Sequence, residues 1–161
     1  MCDDEMSEQE RCAELQKLLD EEPLLMQKYF NGLTVLMQAI KFSRLQCIEY
    51  LLREKCVNVN QKDEFSILGA ALHHAIIWRR LESVDLLLQY GADVNMQDIS
   101  GVSPLMAACD ITDDRGSATV EKLLAAGADI EQKSVDGWQA KIFAIRSENW
   151  KVAEILEKWK E

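Results

Sequence analysis

Histidine and cysteine are the side chains best suited to act as bases, nucleophiles or metal ligands near neutral pH. This sequence holds two of the first and five of the second. His73 and His74 are adjacent, so in a helix their side chains diverge by about 100° and cannot readily share one metal ion. The cysteines fall at 2, 12, 47, 56 and 109, without the close pairs that a cysteine-only zinc site needs. Cys47 and Cys109 stand beside small or apolar residues, where a thiol behaves as a buried hydrophobe. An odd set of thiols with no such pairing suits the reduced cysteines of a cytosolic or nuclear protein. There is no glycine-rich phosphate loop, no Gly-x-Ser-x-Gly elbow and no His-x-x-x-His pair. Carboxylates abound, but Asp63, Asp93, Asp98 and Asp129 sit where turns and caps use side-chain oxygens to bind nearby backbone N–H groups. The inventory predicts a non-enzyme with no cofactor and no metal.

The elements around these residues are read best from Gly91 to Cys109. Leu86, Leu87 and Leu88 form the apolar end of a helix, and Gly91 follows where a helix C-terminus favours φ > 0. Asp98 and Gly101 supply turn chemistry. Ser103 caps a new helix with Pro104 in its first turn. The phrase recurs: Val57 to Asp63 answers Ala92 to Asp98, and Gly91 to Asn95 answers Gly127 to Glu131. A recurrence slightly above ~33 residues, with one turn and two helices per copy, is the signature of a repeat array.

These phrases resemble the ankyrin-repeat family. Its helix-opening motif, Thr-Pro-Leu-His with Ala two residues on, is matched by Ser103-Pro104-Leu105-Met106 with Ala108. Thr34-Val35-Leu36-Met37 with Ala39 matches it too, and Ala71-Leu72-His73-His74-Ala75 more loosely. The resemblance spans roughly residues 29 to 161. It implies an all-α solenoid of stacked helix-turn-helix units with β-turn fingers, and gives His73 the motif position that bonds neighbouring turns. It also places Asn95, preceded by Asp93-Val94 and eight residues after Leu87, in a context similar to that modified by factor-inhibiting asparaginyl hydroxylases. The plainer role for Asn95 is a bond to the backbone of the next turn.

The expected layout is an acidic tail and N-terminal capping helix over 1–28, then repeats over about 29–62, 63–97, 98–133 and 134–161. The pattern Ser7…Glu10 followed by Cys12, Leu15, Leu18 and Leu19 predicts a helix from 8 to 21. Pro23 ends it, and a short turn is expected over 24–29. Paired helices are expected at 35–42 with a partner bearing Leu45, Ile48, Leu51 and Leu52, at 71–78 and 82–90, at 104–111 and 118–125, and ending with 149–160. The third pair carries an inter-helix loop, Thr112 to Gly116, about three residues longer than the pattern. Two extra residues fall within Ser66 to Ala70. Lys141 stands where the pattern has Leu, as suits a terminal cap with a polar outer face.

Hydrophobic content of 48% supports a packed core. The formal charge is −10, from 28 acids against 18 bases, which repels phosphate backbones and argues against nucleic acid. No apolar run reaches the ~20 residues of a membrane span, and the acidic N-terminus is unlike a signal peptide.

In such a stack the turn fingers and the exposed ends of each first helix line a concave face. Large apolar groups there need not hold the repeats together and point to docking, the alternative for Phe42 and Trp78 being packing between adjacent repeats or beneath the enlarged second finger. The fingers offer Leu33, Phe65, Ile67, Ile99, Val102 and Trp138. The helix ends offer Lys41, Phe42, Ile77, Trp78, Asp110, Ile111 and Arg146, with Phe42, Trp78 and Ile111 at equivalent places in three repeats. The expected function is that of an adaptor binding a segment of another protein, as a monomer or as a subunit of a hetero-complex. The alternative is an ankyrin-type inhibitor of a kinase or other enzyme, although the motifs of the cyclin-dependent kinase inhibitors are not evident.

Overall fold

The computed structural model describes residues 7–22, 24, 29–55, 57–65 and 67–159. Within them the chain forms nine helices: α1 Glu8–Glu21, α2 Val35–Lys41, α3 Leu45–Arg53, α4 Ala71–Ile77, α5 Leu81–Gln89, α6 Pro104–Cys109, α7 Asp114–Ala125, α8 Ala140–Arg146 and α9 Trp150–Lys158. Among the described residues the only β-type pairings are single bridges, Phe30 with Leu33 and Lys62 with Ala70.

Local chemistry sets the helix starts. Ser7 Oγ accepts from Glu10 N, and the Glu10 carboxylate accepts from Ser7 N at 2.7 Å, closing a capping box on α1. Thr34 caps α2 through Met37 N, and Ser103 caps α6 through Met106 N with Pro104 in the first turn. Three of the four α-hairpins then turn tightly. Arg44 N bonds Ala39 O, Arg80 N bonds Ala75 O and Asn149 N bonds Ala144 O, with Ser43, Arg79 and Glu148 at positive φ in the turn.

The helices form two rows. The inner row is α2, α4, α6 and α8, each packed on the next. The outer row is α1, α3, α5, α7 and α9. α1 thus packs on α3 as an outer helix, and among the described residues the inner row starts only at α2. One continuous core runs between the rows, with Ile40, Ile48, Leu51, Leu72, Ile76, Leu87, Leu105, Leu123 and Leu156 fully buried. Each helix is too short to be stable alone, so the stacking holds the helices as well as the repeats. In the last pair, Lys141 Nζ meets Glu157 Oε1 at 2.8 Å. In the first pair the matching positions are Leu36 and Leu52, both buried.

The third pair departs from the sequence reading. α6 stops at Cys109, so Ile111 lies beyond the helix and turns into the core, only 6% exposed. The additional residues lengthen α7 rather than the loop. Asp113 caps that helix by accepting from Arg115 N and Gly116 N, and α7 runs from Asp114, a full turn before the expected 118. Elsewhere the boundaries move by one or two residues, as at α9, which ends at Lys158. The expected tail before Ser7, Cys2, Cys56, and most of the expected turn over 24–29 lie outside the described residues.

Candidate functional site

Four fingers project from the inner row, each closed by backbone bonding. Phe30 N donates to Leu33 O at 2.8 Å, Asp63 N to Gly69 O at 2.9 Å, Asp98 N to Val102 O at 3.1 Å and Ser134 N to Trp138 O at 2.9 Å. The residue opening each of the last three stiffens its finger from within. Asp63 accepts from Phe65 N, Ile67 N and Leu68 N, Asp98 from Ser100 N and Val102 N, and Ser134 Oγ from Trp138 N. Neighbouring fingers are tied by Glu64 N to Gly32 O at 2.8 Å and Val135 N to Ser100 O at 3.0 Å. Gly32 is favoured by its φ of +78°, and a Cβ there would stand 3.1 Å from the Phe65 ring, which would have to give by a few tenths of an ångström.

The fingertips carry an apolar row: Phe30 (41% exposed), Phe65 (64%), Ile99 (65%) and Val135 (77%). Phe65 and Ile99 belong to the set drawn from the sequence, and Phe30 and Val135 do not. The signal was available, because Phe30, Ile99 and Val135 each stand two residues ahead of the turn glycine, Gly32, Gly101 or Gly137. Ile67, Ile77 and Phe42 are exposed beside this row. Lys41 is exposed with its ammonium 5.8 Å from the Phe42 ring centre.

The other expected residues are less free. Ile111 is buried and has no surface to offer a partner. The count from the helix cap is the same as for Phe42 and Trp78, but the early end of α6 swings its side chain inward. Leu33 and Val102 are half-buried against the core. Trp78 is half-buried too, with its ring 4.8 Å from that of His74. Trp138 packs edge-on to Phe143 at 6.2 Å and lies beneath the Arg146 guanidinium at 4.3 Å. Asp110 is exposed and accepts from Ser147 Oγ at 2.6 Å.

The groups most capable of chemistry are built into the frame. His73 Nε2 donates to Val102 O at 3.1 Å, tying α4 to the third finger. His74 Nε2 stands 3.4 Å from Asp63 Oδ2. Burial holds both imidazoles below their ordinary pKa, the neighbouring carboxylate opposing it for His74. Burial pushes the Cys109 thiol up to about 12, so it stays protonated at neutral pH. No group of three or more His, Cys, Asp or Glu side chains among the described residues is placed to hold a metal ion. No helix among them is long and apolar enough to cross a membrane.

Asn95 bridges two turns: its Nδ2 donates to Gly127 O at 3.2 Å and its Oδ1 accepts from Asp129 N at 2.8 Å. Asn60 does the same one repeat earlier, toward Gly91 O and Asp93 N.

Comparison with known proteins agrees with this architecture. A family model described as "Ankyrin repeats (3 copies)" matches residues 6–98, taking in α1. Human protein phosphatase 1 regulatory subunit 27 is 40% identical over 68 residues, 42% of this chain and 42% of that protein. A putative ankyrin repeat protein, FPV024, of fowlpox virus (strain NVSL) is 34% identical over 110 residues, 66% of this chain and 18% of its own. Alpha-latrotoxin-Lg1a of Latrodectus geometricus is 29% identical over 126 residues, 77% of this chain but 9% of the toxin. The chain therefore spans less than half the length of each of these relatives. With more than half of its residues matched by the repeat model, and two rows of helices bearing fingers, the chain belongs to the ankyrin-repeat family.

Proposed function

We propose that this chain is a protein-binding adaptor that holds a segment of another protein along its finger edge and the adjoining ends of the inner helices. The carrying observation is the row of exposed apolar side chains, one on each of four successive fingers, which the core does not use. Buried on contact, such groups are the usual energetic anchors of an interface. The fingers are cross-tied before a partner arrives, so little entropy is lost in shaping the site. We parse the stack behind this edge as a leading helix within 1–28 and four repeats at about 29–62, 63–97, 98–133 and 134–161.

The net charge of −10 disfavours nucleic acid as the guest. One relative carries the name of a regulatory subunit of protein phosphatase 1, which favours an enzyme among the candidate partners and keeps the inhibitor reading beside the adaptor one. The test is affinity capture from cells with the wild type and with the Ile99→Asp, Val135→Asp double variant. Both positions are exposed, so each substitution should change stability by no more than about 0.5 kcal/mol, checked by thermal unfolding. The variant should lose specific partners that the wild type retains. An unchanged partner set would overturn the finger-edge reading. Titration calorimetry with the catalytic subunit of protein phosphatase 1 tests the narrower version.

A further inference from the structure

The fingertips supply contact but no register, because Phe30, Phe65, Ile99 and Val135 are all apolar and a guest shifted by one repeat would meet a similar surface. The ends of the inner helices differ from one repeat to the next. Seven residues after the caps Thr34, Ala70, Ser103 and Gln139 stand Lys41, Ile77, Asp110 and Arg146, all exposed. Their helix ends abut. Arg80 Nη2 donates to Lys41 O at 3.2 Å, and Ser147 Oγ donates to Asp110 Oδ1 at 2.6 Å. Read from α2 to α8, the row is base, apolar, acid, base.

The three charges of this row lean on neutral neighbours. The Lys41 ammonium faces the Phe42 ring, the Arg146 guanidinium covers Trp138, and Asp110 accepts from a hydroxyl. Charges just behind them are matched, as Arg79 is with Asp113 at 2.9 Å. Among the described residues Lys41, Asp110 and Arg146 enter no ion pair. Packed helices lie about 8–10 Å apart. A polyproline II segment rises about 9.3 Å per turn of three residues, so it brings every third side chain to one face at that interval. A β-strand returns to one face every ~6.7 Å and falls out of step.

We propose that the helix-end row reads the charge order of its guest, a polyproline II segment of another protein. Running from α2 to α8, that segment bears acid, apolar, base and acid at every third position. The inference rests on the adaptor function proposed above and gives it a register. A shift of one repeat toward α8 sets the guest's apolar side chain on Asp110 and its base against Arg146; the opposite shift sets an acid against Asp110. No segment of this sequence carries that order at that spacing in either direction. Neither the residues outside the described ones nor a second copy therefore supplies the guest.

The probes are fluorescein-labelled peptides titrated into the full chain by anisotropy. Glu-Pro-Pro-Leu-Pro-Pro-Lys-Pro-Pro-Glu and Glu-Pro-Pro-Lys-Pro-Pro-Leu-Pro-Pro-Glu share one composition and present the order in the two chain directions. One of them should saturate below about 1 mM and bind about fivefold tighter than the other. It should equally exceed Lys-Pro-Pro-Leu-Pro-Pro-Glu-Pro-Pro-Lys, the cationic control that the chain's charge of −10 would otherwise favour. Lys41→Glu and Asp110→Lys should each weaken it about fivefold, and exchanging the sign of the facing peptide residue should restore it. If a variant melts lower, the peptide exchanges against the wild type decide. Equal binding of the two orders, no saturation by either, or no restoration would overturn the proposal. Cellular partners lost with the Ile99→Asp, Val135→Asp variant but kept by Lys41→Glu, Asp110→Lys would overturn it and leave the finger-edge reading standing. Partners kept by both variants would overturn the two together.

Discussion

Gly116→Ala sets two physical effects against each other in α7. By helix propensity alone the substitution should stabilise by about 1 kcal/mol. The structure predicts the opposite. A Cβ on Gly116 would fall 1.9 Å from Ile111 O and 2.8 Å from its carbonyl carbon, against 3.4 Å for ordinary contact, so the first turn of α7 must retreat by about 1.5 Å. That retreat breaks the Asp113 cap, worth about 1 kcal/mol, and uncovers Ile111, worth about 1.5–3 kcal/mol. Together these outweigh the propensity gain and leave a net loss of about 1.5–3 kcal/mol. Urea unfolding followed by circular dichroism at 222 nm reads the change as a midpoint lowered by about 1 M, given slopes of roughly 1–3 kcal/mol per M. Ala118→Gly, two residues nearer the helix centre, is the control and should cost about 1 kcal/mol by propensity. A Gly116→Ala midpoint equal to or above the wild type would refute both the close approach and the early start of α7.

Trp78→Ala should cost roughly 2 kcal/mol in unfolding free energy, because the ring lies on His74 and against the core; a loss of binding with unchanged stability would show the ring serving the groove alone. The two buried histidines predict a pH dependence. Their folded pKa values lie below the unfolded value near 6.5, so their contribution is fully present above about pH 6.5. It falls as the pH drops below that value, because the unfolded chain binds protons first. The urea midpoint should therefore decline between pH 7.5 and 5.5, and less so in a His73→Asn, His74→Phe variant. A midpoint that rises on acidification would mean that Asp63 holds His74 charged in the folded state.

The repeat architecture was legible because short-range chemistry recurs: Thr34 and Ser103 as caps, Gly91 and Gly127 after outer helices, the leucines of α3 and α5 at helical spacing. The capping box at Ser7 and Glu10 located α1 as well. What that local pattern left out was the row in which α1 sits, a matter of long-range packing against α3. The third pair departs from the local pattern for a similar reason. The extra residues after Asp110 contain Asp113 and Gly116, which suggest a loop when read singly, yet act together as a cap and a close-packing site. At the candidate site, Ile99 and Phe65 stood out as apolar residues in turns, whereas Phe30 and Val135 emerged only once the fingers were aligned. Trp78 and Ile111 match Phe42 in their count from the cap, which leaves Trp78 divided between groove and core and points Ile111 at the groove, while their burial depends on where the helix ends.

The ion pair between Lys141 and Glu157 bears on engineering the length of this array. Appending another helix pair to α8 and α9 would bury two charges where the first repeat buries two leucines, and dehydrating them would offset much of the gain from new contact. Exchanging both for leucine should turn that terminus into a surface that accepts an appended module, with a greater tendency to precipitate when nothing is appended. A single exchange should be the worst choice, since it strands the other charge beneath the added module.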